Sequence, residues 1–151
     1  MKISTKGQFA LEALIDLQLH AVDGQESLKN IAVRRGISEH YLEQIFALLR
    51  KAGIVESIRG AQGGYRLARE PRSITAGEII RSAEGPLYPV KCVGSKTEDE
   101  NLCPMIDRCV TRPLWARITA EIDSVIDGVT LLDLMDSCAS FAKANTQEYD
   151  I

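Results

Sequence analysis

The 151-residue sequence contains no apolar run near the roughly 20 residues that a membrane-spanning helix requires, which excludes a helical membrane protein. Its first residues also lack the apolar stretch and small-residue cleavage site of a signal peptide, so a cytoplasmic protein is expected. Nucleotide-cradling patterns of the Gly-x-Gly-x-x-Gly and Gly-Lys-Ser/Thr kinds are missing. The only histidines, His20 and His40, have no acidic, Ser or Cys partner at a catalytic spacing, and no enzyme is expected. Aromatics are scarce at 5%, and Lys plus Arg (18) fall below Asp plus Glu (21). The resulting net charge of −3 is not the strongly basic balance of a simple nucleic-acid binder. Hydrophobic residues, at 45%, do supply a core for one unit of this length.

The average charge hides an asymmetry. Residues 1–72 carry 11 Lys and Arg against 8 Asp and Glu, whereas residues 73–151 carry 7 against 13, so the halves face different partners. From Ser4 to His20, Phe9, Leu11, Leu14, Ile15, Leu17 and Leu19 form a helical stripe that leaves Glu12, Asp16 and Gln18 for solvent. Ser27 caps a second, short helix that stops at Arg35-Gly36, and Ser38 caps a third with Tyr41, Leu42, Ile45, Leu48 and Leu49 inward. Helix, tight turn, helix is the helix-turn-helix layout. Residues 54–58 then alternate like a strand, Gly60, Gly63 and Gly64 supply a turn, and Tyr65-Arg66-Leu67 resumes the alternation. Such a hairpin is a wing, whose glycines let backbone N–H groups approach phosphates while Arg59 and Arg66 add charge.

On the third helix, Glu39, His40, Glu43 and Gln44 lie opposite the core stripe, early enough to meet base edges in a major groove. Arg50 and Lys51, at its far end, suit phosphates.

The second half begins with a capping box, Thr75-Ala76-Gly77-Glu78, which opens a helix ending at Gly85. Leu87 to Arg108, with acidic Glu98-Asp99-Glu100, reads as a loop. Pro113 starts a long helix with Leu114, Ile118, Ile122, Val125, Ile126 and Val129 on one face, which suits either pairing with a second copy or an intrachain core. Thr130-Leu131-Leu132-Asp133 caps a last short helix, where Cys138 is expected as a small buried hydrophobe. Cys92, Cys103 and Cys109, spaced by ten and five residues, can converge from a loop on an iron–sulfur cluster. Zinc sites favour closer cysteine pairs or a nearby histidine, and neither exists here. Unrelated thiols, or a redox pair of Cys103 and Cys109, remain open alternatives. A small electron carrier would explain the cysteines but not the recognition helix and wing.

Five segments carry a resemblance: Met1-Lys2-Ile3-Ser4-Thr5-Lys6-Gly7, Ser38-Glu39-His40-Tyr41-Leu42-Glu43-Gln44, Leu49–Val55, Ser57–Tyr65 and Thr75–Ile80. Over residues 1 to about 135 the chain resembles the Rrf-two-type winged-helix transcriptional regulators. The resemblance implies a mostly α fold with a small β-hairpin wing, built as a winged helix-turn-helix plus a long dimerisation helix. Residues 1–84 would form the DNA-binding unit, 85–111 a cysteine-bearing sensor loop, and 112–151 the dimerisation helix and tail. It also implies a homodimer on a palindromic double-stranded operator. DNA contacts are expected from Ser38, Glu39, His40, Tyr41, Glu43, Gln44, Arg50, Lys51, Arg59, Gly60, Gly63 and Gly64.

Cluster-binding members hold an iron–sulfur cluster, here expected to be of the 2Fe-2S type, at positions matching Cys92, Cys103 and Cys109. Where some members place a histidine as fourth ligand, this chain has Arg112, so a carboxylate from the first helix of the partner, Glu12, or less directly Gln8, is implied instead. Other members lack the cluster, repress cysteine and sulfur metabolism, and bind cysteine synthase through their C-terminus. The ending Gln147-Glu148-Tyr149-Asp150-Ile151 resembles the Ile-terminated peptides that such a synthase captures, although an acidic disordered tail without a partner is the favoured reading of those five residues.

Overall fold

The computed structural model describes residues 4–94 and 103–147. Helix α1 (Thr5–His20) starts at Ser4, whose hydroxyl accepts a hydrogen bond from the Lys6 N–H at 3.1 Å. Helix α2 (Leu28–Arg35) is capped by Ser27 and ends at Gly36, whose φ of 65° is a left-handed conformation that only glycine adopts without strain. Helix α3 (Glu39–Lys51) is capped by Ser38, which accepts from the Tyr41 N–H at 3.2 Å. Strands β1 (Val55–Ile58) and β2 (Gly64–Leu67) pair antiparallel, with Val55 opposite Leu67 and Ile58 opposite Gly64. Helices α4 (Ala76–Glu84), α5 (Arg112–Asp127) and α6 (Leu131–Gln147) follow, with short 3-10 turns at Pro71–Ser73 and Lys91–Val93. The architecture is therefore mostly helical with one hairpin, as the sequence leads one to expect.

One core joins the helix-turn-helix to later elements. Ala10, Ala13, Leu14 and Leu17 of α1 pack with Ile31 of α2, with Leu42, Ile45, Phe46 and Leu49 of α3, and with Ile79 and Ala83 of α4. Burying an aliphatic or aromatic side chain of this size stabilises the fold by roughly 1.5–3 kcal/mol. Leu131, at the start of α6, is fully buried in the same core. Its N–H donates to the Ile74 carbonyl, and the Ala76 N–H donates to the Val129 carbonyl, both at 2.8 Å. The α5–α6 junction is thus fastened to the start of α4.

Several expectations need correction. Asp16, assigned to solvent, is 5% exposed, and Leu19, assigned to the core, is 50% exposed. A wide stripe on α1 is compatible with either rotation, and the small residues Ala10 and Ala13 decide it by letting neighbouring helices come close. Phe46, absent from the expected α3 stripe, is fully buried. The last helix is long, at 17 residues. Its start is a reciprocal capping box in which Thr130 N–H donates to Asp133 at 2.8 Å and Asp133 N–H to the Thr130 hydroxyl at 3.1 Å. At Thr75 only the first half of that motif is used, since the Glu78 carboxylate takes the Arg69 guanidinium. Cys138 is half-buried rather than enclosed. Met1, Lys2 and Ile3, the acidic Glu98-Asp99-Glu100 and the tail residues Glu148, Tyr149, Asp150 and Ile151 lie outside the described residues.

Candidate nucleic-acid interface and thiol segment

The first turns of α3 present a polar face. Glu39, His40, Glu43 and Gln44 are all exposed, and the His40 ring stands 3.2 Å from the Gln44 amide nitrogen and 3.5 Å from the Glu43 carboxylate. The histidines therefore do gain carboxylate neighbours, Glu43 for His40 and Asp16 at 3.7 Å for His20, but at helical spacings with no nucleophile between them. Ser38 caps the helix, and Tyr41 packs edge-on against Phe9 with ring centroids 6.0 Å apart. Arg50 and Lys51 are exposed at the opposite end, where Arg50 donates to the Ser57 hydroxyl at 3.5 Å and so ties α3 to β1.

At the wing, Arg59 and Gly60 are exposed while Gly63 and Gly64 are half-buried. The Gly63 N–H donates to the Gly60 carbonyl at 3.0 Å and closes the turn. Arg66 is engaged across the hairpin by Glu56, so its charge is partly neutralised and Arg59 is the more available cation. The wing is also attached to the turn before α2. Glu26 and Tyr65 exchange two backbone hydrogen bonds, at 3.0 and 2.8 Å, and a side chain at Gly64 would collide with the Glu26 carbonyl.

Sequence periodicity missed the polar contacts that fix these elements to one another. Arg34 of α2 donates twice to Asp16 of α1, at 2.9 and 2.6 Å, and once to Glu26 at 2.7 Å. Burial acts to raise the Glu26 pKa, yet the hydrogen bonds from Asn30, Arg34 and the Ser27 N–H prevail and hold it below the ordinary glutamate value. Glu84 of α4 accepts from Ser4 N–H, Ser4 Oγ and Gly7 N–H at 3.0, 2.7 and 2.7 Å, which satisfies the open donors of the α1 N-terminus. Arg81 of α4 forks to Asp123 and Asp127 of α5. The only sequence signal for these pairs is charge inside an apolar stripe, which periodicity alone assigns to solvent.

The thiols flank the start of α5. Cys92 sits in the Lys91–Val93 turn, and Cys103 and Cys109 lie nine and three residues before α5. All are free and half-buried. The Cys109 sulfur is 3.3 Å from the Thr111 hydroxyl. That contact, helped by the Thr111 and Arg112 N–H groups, lowers the thiol pKa. Arg112 connects the two ends of the segment: its Nε donates to the Cys92 carbonyl and its N–H to the Cys109 carbonyl, each at 3.3 Å.

Three free thiols of this kind, one of them acidified, are suitable donors for iron. However, among the described residues no three His, Cys, Asp or Glu side chains stand together as a metal-binding group. Glu12, expected as a fourth ligand, is engaged by Arg35 at 2.6 Å and by Gln8 at 2.9 Å, and those two hydrogen bonds hold its pKa low. No described helix is long and apolar enough to cross a membrane.

Comparison with known proteins places the helix-turn-helix and hairpin in a family of transcriptional regulators. The profile of the Rrf2 family, described as "Iron-dependent Transcriptional regulator", matches residues 3–137. The HTH-type transcriptional regulator CymR of Bacillus subtilis (strain 168) is 46% identical over 149 residues, covering 99% of this chain and 97% of that protein. The solved structure of CymR, titled the global cysteine regulator of B. subtilis, superposes with a TM-score of 0.73 at 47% identity over 91% of this chain and 98% of the other. That of T. potens IscR superposes with a TM-score of 0.71 at 45% identity over 91% of this chain and 88% of the other. The chain belongs to the Rrf2 family and is a transcriptional regulator rather than an enzyme.

Proposed function

We propose that this regulator binds a palindromic operator as a two-fold homodimer and that Cys92, Cys103 and Cys109 hold an iron–sulfur cluster whose state alters operator affinity. Each protomer offers the N-terminal face of α3 to a major groove and the Arg59–Gly64 wing tip to the flanking backbone and minor groove. The observation that carries the sensing role is the continuity of the thiol segment with α5. Cys109 leads into that helix, and Arg112 in its first turn binds the Cys92 turn. A change at the thiols therefore reaches the helix that would set the spacing of two recognition helices. When bound, the cluster supplies sensitivity to iron supply and oxidants. Protein purified without oxygen, or reconstituted with iron and sulfide, is expected to be brown with visible charge-transfer absorption. A colourless product without bound iron or labile sulfide overturns the cluster reading.

A second reading is a cluster-free repressor of cysteine metabolism that uses cysteine synthase as its co-sensor or the thiols as a switch. The identity of 46% to CymR over nearly the whole chain favours it. Deleting Tyr149–Ile151 and measuring cysteine synthase binding by calorimetry tests the tail. Binding that is absent in the full chain, or unchanged by the deletion, removes that role.

A further inference from the structure

We infer that Arg34 is a positioning residue for the wing, acting through Glu26. This inference rests on the reading of the hairpin as a DNA-contacting wing. Glu26 has two separate sets of partners. Its backbone pairs with Tyr65 on β2 through two hydrogen bonds, a single antiparallel bridge that fastens the turn before α2 to the edge of the wing. Its carboxylate accepts from the Ser27 N–H at 2.7 Å, the Asn30 amide at 2.9 Å and Arg34 at 2.7 Å. Arg34 in turn is fixed by Asp16, which is almost fully buried on α1.

One guanidinium therefore joins the residue that pairs with the wing to α2 and α1, the two helices that support α3. The wing tip has a further tie nearby, since the Gln25 amide donates to the Gln62 carbonyl at 3.0 Å. Gly64 lets the Glu26 backbone lie against β2 at this point. Removing the Arg34 fork leaves two carboxylates, Asp16 and Glu26, close to one another with no shared cation. Their repulsion and loss of solvation shift the Glu26 turn, and the wing moves with it. The helix-turn-helix core is expected to survive, because its apolar contacts do not include Arg34.

The test uses Arg34→Met and a charge-free control, Asp16→Asn with Glu26→Gln and Arg34→Met, which leaves no isolated charge. Amide hydrogen exchange in the DNA-free protein is read first. In Arg34→Met the Tyr65 and Glu26 amides are expected to lose protection while Leu49 and Phe46 keep theirs. Hydroxyl-radical and dimethyl sulfate footprinting are then done on a palindromic duplex that the wild-type chain selects from a randomised library. Arg34→Met is expected to lose the backbone protection flanking each half-site, retain the protection of guanine N7 from dimethyl sulfate at its centre, and bind about tenfold more weakly, the size expected for losing one set of groove contacts. The control triple variant, if folded, is expected to recover part of the exchange protection.

Unchanged Tyr65 and Glu26 exchange in Arg34→Met overturns the inference. So does a uniform loss of protection across the core in both variants, which would make Arg34 a general stability residue. Selective loss of exchange protection with an unaltered footprint instead overturns the DNA-contacting role of the wing and leaves the positioning by Arg34 intact.

Discussion

Glu84 illustrates how much a single carboxylate does in this fold. Three donors from Ser4 and Gly7 converge on its Oε1, so one side chain caps α1 from α4 across 77 to 80 residues of sequence. Burial opposes its ionisation, but the hydrogen bonds from Ser4 and Gly7 outweigh burial and depress the pKa. A carboxylate whose folded pKa lies below the unfolded value near about 4.3 contributes its full stability above that value. The contribution is lost as the pH falls through the folded pKa. Glu84→Gln is therefore expected to lower stability by about 1.5–3 kcal/mol at neutral pH, the usual range for a hydrogen bond to a charged group. Urea unfolding should show the difference shrinking toward pH 3. At Cys109 the pKa is depressed in the same direction, and the consequence is reactivity, because more thiolate is present at neutral pH. A chain retaining only Cys109 should alkylate with iodoacetamide faster at pH 7 than an unperturbed thiol, and Thr111→Val should slow it by removing the contact that lowers the pKa most. A rate unchanged by Thr111→Val would contradict that assignment.

At the scale of elements, the helix-turn-helix and the wing depend on a few backbone positions. Gly64 is the clearest, because any side chain there strikes the Glu26 carbonyl across the β2 bridge. Gly64→Ala is expected to destabilise the fold by about 1–3 kcal/mol, as overpacking does, and to abolish the exchange protection of the Tyr65 amide. Elements of this kind were legible in the sequence. The caps Ser27, Ser38, Thr75 and Thr130 and the strand alternation at residues 54–58 are local signals, and each helix or strand they announce is present. What was not legible is long-range. The burial of Asp16 depends on Arg34, which is 18 residues away, and the anchoring of the start of α6 depends on Leu131 entering a core made by other helices. The thiol segment shows the same limit, since spacing gives suitable donors while the contact through Arg112 that joins Cys92 to α5 depends on how the chain folds back.

For the whole molecule, the decisive feature is that α5 has no buried residue in the single chain. Leu114 is 55% and Val125 66% exposed, and Ile118 and Ile122 are only half-buried, so an apolar stripe about three turns long faces outward, while Ile126 lies against Gly77 of α4. A stripe of this length is costly to leave in water, and a second copy of the chain would cover it by the same surface on both sides. Val125→Glu tests whether a second copy covers the stripe. Because Val125 is already exposed, the substitution should leave the thermal stability of the protomer nearly unchanged, within about 0.5 kcal/mol. In a dimer built on this stripe, however, it would bury a charge against its symmetry mate, a placement that disfavours association strongly. Sedimentation equilibrium should then report a monomer at micromolar concentration for the variant and a dimer for the unsubstituted chain. Operator affinity should fall at least about tenfold, because one reading head alone loses the gain from binding two linked half-sites. If Val125→Glu remains dimeric, the stripe serves some purpose other than joining two reading heads. The asymmetry of charge between the halves fits pairing through α5, since a net-positive N-terminal half can meet DNA while the acidic half that carries α5 is held away from it.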